Sequence, residues 1–376
     1  MPTVPTLPTM RIAHVTTVHP RYDIRIFRKE CVSLAAAGYE TYLVVGDGLG
    51  DELRNGVHIV DIGVAPSGRL ARMREQPRKA LQMLRRLDPA VIHFHDPELL
   101  RIGVRLAREG RKVVYDAHED VPRQILTKQW IPAPLRRPLA WLFEHYENSL
   151  VRRLSAVVTA TPHITRQFAE VQPRSLSVCN FPLLEELSAA VDGGPRESAV
   201  CYVGGITRTR GIRELVNALA LVPEVRLILC GRFEDAALEA ELRAHSGWSQ
   251  VEYLGQVGRA EVRDVMARSR AGMVTLLPMP SYMDALPIKM FEYMSAGLPV
   301  IASDFPLWRE IVVEHRCGLC VDPADRQAVA EAIRSLLGSA EAAERMGAAG
   351  RAAVDRQFNW PHEEQRLLEF YRTLAA

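Results

Sequence analysis

The stretch MDALPIKMFEYMSAGLPVIASD (283–304) sets Lys289 and Glu292 on one turn of a helix that opens at Leu286-Pro287. Proline at the first helical position is pre-set in φ and leaves the other first-turn amides to be met from outside. Free amides beside a lysine make an anion site, and a carboxylate one turn on can accept hydrogen bonds from hydroxyls attached to that anion. Phosphate plus hydroxyls is the chemistry of a nucleotide. Asp284, eight residues before Glu292, is a second hydroxyl acceptor, placed for a sugar. The local alternatives are that Asp284 complements the helix dipole and that Glu292 is a solvated or internally satisfied carboxylate.

A second anion site is spelled out upstream. Gly204-Gly205 close the apolar run AVCYVGG, and ITRTR with Gly211 leads into IRELVNALALV. A strand, a glycine turn and a helix N-terminus cradle a phosphate, and Arg208 and Arg210 add full charges; the alternative is an ordinary loop with solvated arginines. No GKS or GKT follows, so this is not a Walker loop. The chain holds no strand–GxGxxG–helix unit, which argues against a nicotinamide cofactor.

The first half offers HPRYDIRIFRKE (19–30), HFHDPELL (93–100) and YDAHEDVP (115–122), each just after an apolar run. Arg21 and Arg25 could meet phosphates, and Asp23 could act in the site or cap a helix. His95, Asp96, His118 and Glu119 are acceptor-side candidates, with Asp116 or Glu119 orienting His118; His93 reads as a strand residue. HxH at 93–95 with Asp116 and His118 is also a ligand spacing. A metal hydrolase barrel would need more ligands than this, and the pattern of elements does not describe a barrel.

Those elements alternate apolar runs with helix-period segments, as in parallel α/β sheets. Strands are expected at 11–18, 41–46, 90–95, 112–117 and 155–160, then at 199–205, 226–231, 251–255, 271–277, 299–303 and 318–322. A helix over IFRKECVSLAAAG ends on Gly38. Asp192-Gly193-Gly194-Pro195 has a linker composition, so two doubly wound domains are expected, over 1–185 and 186–360, with a C-terminal helix (361–376) returning to the first. Ligands of such folds sit at the carboxyl ends of the strands.

Composition sets the outer limits. At 376 residues, 24% charged and 48% hydrophobic, with a net charge of +2, this is a globular chain with no global charge bias toward nucleic acid. The opening MPTVPTLPTMR reads as a lead-in to the first strand rather than a signal peptide, and no window is apolar enough to span a membrane. The scattered cysteines read as reduced thiols of a cytoplasmic protein, and the lone CxxC at 317–320 lacks the second pair that a zinc site needs.

GGITRTRGIRELVNAL followed by DALPIKMFEYMSAGLPVIASDFPLWREIV resembles the retaining, nucleotide-sugar-dependent glycosyltransferases of family four, over nearly the whole chain. The resemblance implies a GT-B fold: two Rossmann-like domains facing a cleft, the second binding the donor. It also implies that Glu292 holds the ribose, Asp284 the donor sugar, and backbone near Val257 the base, and that His118 lies near the reacting carbon. An arginine–lysine pair usually grips the diphosphate. Here those positions read Gly205 and Arg210, which shifts the charge to Arg210 and Lys289. The loop between the acids, with Leu286 and Ile288, would offer amides to the sugar, and Pro287 removes one. No metal or other cofactor is implied. Partners would be a UDP- or GDP-linked sugar and a hydroxyl acceptor, lipid-linked or a growing polysaccharide. A nucleotide-sugar epimerase of the same fold and a non-catalytic nucleotide- or sugar-binding relative are the alternatives.

Two segments bear on the acceptor. GRLARMREQPRKALQMLRRL (68–87) carries seven basic residues and one acid, with Leu81, Leu84 and Leu87 as a stripe. WIPAPLRRPLAWLFEHY (130–146) adds Trp130, Trp141 and Phe143 beside Arg136-Arg137. Each reads either as a helix lying on an anionic membrane surface, making the protein peripheral at its inner face, or as a surface helix that buries its apolar side.

Overall fold

The computed structural model describes residues 10–128, 130–184 and 196–375. The chain divides into two compact units, residues 1–180 with 363–376, and residues 181–362. The divisions therefore fall at 180/181 and 362/363 rather than at 185/186 and 360/361. The expected linker at 192–195 and the lead-in up to residue 9 lie outside the described residues.

In the first unit, β1 (Arg11–Val15), β2 (Glu40–Val45), β3 (Glu52–Arg54), β4 (Val57–Asp61), β5 (Val91–Phe94), β6 (Lys112–Ala117), β7 (Ala156–Thr159) and β8 (Ser175–Ser177) form one sheet in the order β3-β4-β2-β1-β5-β6-β7-β8. The strands pair in parallel except β3 with β4. β5 and β7 are buried at every residue, because helices cover both faces of a parallel sheet and the strand then needs an unbroken apolar run. The β3–β4 hairpin was not anticipated, although its turn carries a strong signal: Asn55 and Gly56 both have positive φ, the two-residue turn that matches strand twist. β8 escaped because three residues of Ser-Leu-Ser carry no period.

In the second unit β9 (Ala199–Val203), β10 (Arg226–Cys230), β11 (Val251–Gly255), β12 (Ala271–Val274), β13 (Val300–Ser303) and β14 (Gly318–Val321) pair in parallel in the order β11-β10-β9-β12-β13-β14. Strand order reverses between β1 and β5 in the first sheet and between β9 and β12 in the second. These are the two positions where crossovers leave to opposite sides and open a crevice at the carboxyl ends.

The helix expected over 26–38 is wound differently. Ile24–Cys31 is a π-helix, continued by α-helix Val32–Ala36 and closed by Gly38 at φ +93°. The last helix, Trp360–Ala375, belongs to the first unit from Glu363 onward. The basic helix Arg69–Leu87 runs through Pro77, and Ala80, Leu81 and Leu84 are buried in the core of the first unit. Its leucine stripe therefore faces protein. All six cysteines are free thiols.

Candidate functional site

In the second unit the end of β9 turns through Gly204 at φ +138°, into the crevice beside β12. A Cβ on Gly204 would meet Lys289 Nζ at 2.8 Å and Arg210 Nη1 at 3.3 Å, the movable ends of two long side chains, so it is the positive φ that favours glycine where two cations close on the backbone. Arg210 Nη1 donates to the Gly205 carbonyl at 3.4 Å and lies 3.5 Å from where a Cβ of residue 205 would stand. The arginine side chain from 210 thus fills the space beside 205.

Lys289 comes from the helix Ile288–Ser295, which Pro287 precedes as N-cap rather than opening as its first residue. The residue is half-buried, but its Nζ is shielded from water, 3.7 Å from the centre of the Tyr202 ring, and has no hydrogen-bond partner among the described residues. Burial pushes the Lys289 ammonium well below its ordinary pKa, and the Arg210 guanidinium adds to the shift. A buried charge without an anion is costly, so an anion beside Lys289 would favour the protonated form that burial disfavours.

Around that pair, Tyr202 donates to the Gly205 carbonyl at 2.9 Å, and Trp308 Nε1 donates to the Ala285 carbonyl at 2.7 Å, anchoring the loop that carries Asp284 and Leu286. Asp284 is exposed. Glu292 is nearly buried and accepts from Arg259 Nη1 at 2.7 Å through Oε1. Arg259 escaped sequence reading because it lies 33 residues away, at the start of the helix Arg259–Arg268. Val257 follows β11. Arg208 does not join the cations: its Nη1 donates to Glu241 at 2.6 Å.

In the first unit the residues after β1, β5 and β6 meet at the other crevice. Asp116 accepts from Arg25 Nε at 2.9 Å and Nη2 at 2.8 Å, and lies 2.9 Å from His118 Nε2 and 3.1 Å from His95 Nδ1. Asp116 therefore orients His118. Glu119 accepts from Gln124 instead. His118 keeps a partly exposed ring, whereas His95 is buried with both nitrogens engaged, so it cannot touch an acceptor as expected.

Asp96 is likewise internal. It accepts from the Thr17 amide at 2.6 Å and Thr16 Oγ1 at 2.9 Å, and stands 3.2 Å from His19 Nδ1. Burial pulls His19 down, but Asp96 more than offsets it and raises the imidazole above its ordinary value. His19, 5.0 Å ring to ring from His118, was not singled out in the sequence.

Arg21 and Arg25 of the 19–30 segment are engaged by carboxylates of the first unit. Arg21 is held by Asp47 at 2.6 Å and by Glu52 at 3.3 Å, and Arg25 by Asp116 and, at 3.1 Å, by Glu30. Asp23 Oδ1 accepts from the Arg25 and Ile26 amides, which makes it a helix cap. Glu30, His93, His95 and Asp116 hold ligand atoms within 4.8 Å of one another, a grouping that could suit a cation. The Arg25 guanidinium, 2.8 Å from Asp116 and 3.1 Å from Glu30, already places a positive charge against this group, and a cation there would have to share the site with it.

Residues 188–353 match the family model of glycosyl transferases group 1, and residues 25–182 that of the glycosyl transferase 4-like domain. The chain is 34% identical over 259 residues to the alpha-maltose-1-phosphate synthase of Mycolicibacterium smegmatis; the match covers 61% of this chain and just under two thirds (66%) of that protein. It is 28% identical over 331 residues to the phosphatidyl-myo-inositol mannosyltransferase of Mycobacterium tuberculosis, 82% of this chain and 81% of the relative. Its fold matches Anabaena HepE, solved in complex with UDP and glucose, with a TM-score of 0.72 at 15% identity, covering 97% of this chain and all of the other.

Proposed function

Because this chain belongs to the family-four-like glycosyltransferases of GT-B fold, we propose that it moves a sugar from a nucleoside diphosphate to a hydroxyl acceptor with retained anomeric configuration. The observation that carries the reading is the Lys289 ammonium, buried without a hydrogen-bond partner beside Arg210 and Gly204. Both cations hold the donor diphosphate and stabilise the charge that builds on it as the sugar C1–O bond breaks. The acceptor oxygen bonds to C1 on the same face, and its proton passes to the departing diphosphate oxygen. Glu292, fixed through Oε1 by Arg259, grips the ribose; Asp284 takes the sugar hydroxyls; backbone at Leu286, Ile288 and Val257 completes the donor site. His118 takes a hydroxyl at the transfer point. No metal is needed, since the positive charge is built in.

A thermal-shift panel of UDP, GDP, ADP and TDP with their sugars, with and without EDTA, tests this. A ligand at a hundred times its dissociation constant stabilises by about 2.7 kcal/mol. One nucleotide is expected to raise the melting temperature with EDTA making no difference, and Glu292→Gln to weaken that nucleotide by about tenfold or more. A flat panel, or a shift that EDTA abolishes, rejects the reading; HepE makes UDP the first nucleotide to try.

The acceptor side points to an anionic membrane surface, which would make the protein peripheral at the cytoplasmic leaflet. Among the described residues no helix is long and apolar enough to cross a membrane. On the helix Ala133–Val151, however, Leu135, Leu139, Leu142 and Tyr146 are exposed at helical spacing, and Trp141 is 60% exposed. That helix packs on Leu100–Arg108, which carries Arg101, Arg105 and Arg108, and this in turn packs on the basic helix Arg69–Leu87, where Leu70 and Met73 are exposed. Apolar and aromatic side chains among arginines suit an anionic interface. The protein is expected to sediment with vesicles containing phosphatidylglycerol and not with phosphatidylcholine alone, and Trp141→Ser with Leu142→Ser to cut that binding several-fold. Equal binding to both vesicles, or to neither, removes the membrane from the account.

A further inference from the structure

Among the buried groups of the first unit that sugar transfer as proposed leaves unused are His14, His93 and Tyr371. All are fully buried, and they are joined end to end. His93 Nδ1 lies 2.6 Å from Tyr371 Oη, and Tyr371 Oη lies 3.1 Å from His14 Nε2. His14 Nδ1 lies 3.0 Å from His95 Nε2, and His95 Nδ1 lies 3.1 Å from Asp116 Oδ2, the oxygen that also faces His118 Nε2. His14 and His93 are register partners on β1 and β5, while Tyr371 arrives on the C-terminal helix, 278 residues after His93.

The chemistry of the end group gives this chain a direction. Burial alone would push the Asp116 carboxyl up; Arg25, His118 and His95 overcome it and hold it well below its ordinary value. His95 Nδ1 and His118 Nε2 both face Asp116 Oδ2 and lie 3.1 Å from each other. An ionised carboxylate only accepts hydrogen bonds, so each nitrogen carries hydrogen toward Asp116 rather than one donating to the other. Burial keeps the His95 imidazole neutral, down to about 4, and it lowers His14 and His93 as well. A neutral imidazole has one N–H and one lone pair. His95 Nε2 must therefore accept from His14 Nδ1–H, His14 Nε2 must accept from the Tyr371 hydroxyl, and the Tyr371 oxygen must accept from His93 Nδ1–H. The series ends at His93 Nε2 as a bare lone pair, and that atom is buried without a hydrogen-bond partner among the described residues. A buried bare acceptor is less costly than a buried N–H with nowhere to go, so the end agrees with the direction.

We propose that His93, Tyr371, His14 and His95 form a one-way donor chain into Asp116 that fixes His118 as its Nε2–H tautomer, leaving His118 Nδ1 as an acceptor for a substrate hydroxyl. Four of these act as positioning residues, and the C-terminal helix thereby sets the protonation pattern of the first unit's crevice. The final step, to a substrate hydroxyl, rests on the function proposed above; the tautomer pattern does not.

The two parts are tested separately. Long-range ¹H–¹⁵N spectra of the full chain with ¹⁵N-labelled histidine, free of any substrate and assigned by single His→Gln variants, read each tautomer directly. His14, His93 and His95 are expected as Nδ1–H and His118 as Nε2–H; any of the four in the opposite form overturns the proposal. Tyr371→Phe then removes one hydroxyl and keeps the ring. It is expected to shift the ring nitrogens of His14 and His93, to lower kcat by about tenfold to a hundredfold, the usual effect of losing a group that orients a functional histidine, and to move the acidic limb of the pH–rate profile, with donor KM unchanged. Unchanged kcat with an unmoved pH profile overturns the positioning role. Should the variant not fold, the spectra of the unaltered chain still decide.

Discussion

Lys289→Met is expected to lower kcat for sugar transfer by about 10²–10³-fold while leaving the free protein at least as stable as the unaltered chain. The catalytic loss follows from removing a preorganised positive group aimed at the charge that develops on the diphosphate. The retained stability follows from the same burial. The Lys289 Nζ has no hydrogen-bond partner and sits over the Tyr202 ring, and a methionine of similar length keeps the contacts without a buried amine. Because burial holds the amine below its ordinary pKa, diphosphate binding should draw a proton onto it. Nucleotide titrations in buffers of differing ionisation heat are expected to show proton uptake in the unaltered chain and none in the variant. In folding, the unfolded chain holds the proton that the native state releases, so this group's contribution to stability rises with pH until the free amine itself titrates, near 10.5. Transfer at the unaltered rate by Lys289→Met, or titration heats that do not depend on buffer, would remove Lys289 from the donor site.

Arg25→Met is expected to destabilise the first unit by about 3–5 kcal/mol, the usual consequence of stripping the partner from a buried charge. Arg25 donates twice to Asp116 and once to the Val178 carbonyl, and it stands 3.1 Å from Glu30; Asp116 and Glu30 have no exposure to water and Arg25 only 3%. Glu30→Gln is expected to do the opposite. Burial, then the Asp116 charge, raise the Glu30 carboxyl well above its ordinary value, so the native state keeps a proton that the unfolded chain gives up above about 4.5. Stability from this group is therefore complete at low pH and declines as pH climbs through that window. A neutral amide of the same shape removes the decline. Urea unfolding from pH 5 to 8 should show a flatter profile and a higher midpoint at pH 8 for the glutamine variant. A lower midpoint at pH 8 would mean that Glu30 is ionised in the fold and that Arg25 is shared between two carboxylates.

Lys289 and Glu292 could be read from sequence because their relation is local: three residues on one helical turn, with the strand at 300–303 following at once. Gly204 was legible for a similar reason, since a glycine pair between an apolar run and a helix start has few other uses. Arg25 and Glu30 were not. Five residues apart on an α-helix they diverge, and only the i→i+5 winding of Ile24–Cys31 brings them together. His95 and Asp96 were placed correctly at a strand end, yet their side chains turn inward. Asp96 is spent on Thr16 and Thr17, which lie about eighty residues earlier, as the separations of 80 and 79 record.

What the sequence determined by itself is most of the strands and helices and their order, short of β3, β4 and β8, the glycine turn at 204–205, and the helix that carries Lys289 and Glu292. All of these arise from interactions over a few residues, through periodicity, turn sterics and helix ends. Only the tertiary structure decided which charges remain available. Arg21, Arg25 and Arg208 are consumed by carboxylates 26, 91 and 33 residues distant, whereas Lys289 meets none. Coulombic and hydrogen-bond partners are chosen by distance in space, and a sheet whose neighbouring strands are far apart in sequence sets that distance without leaving a trace in local spacing.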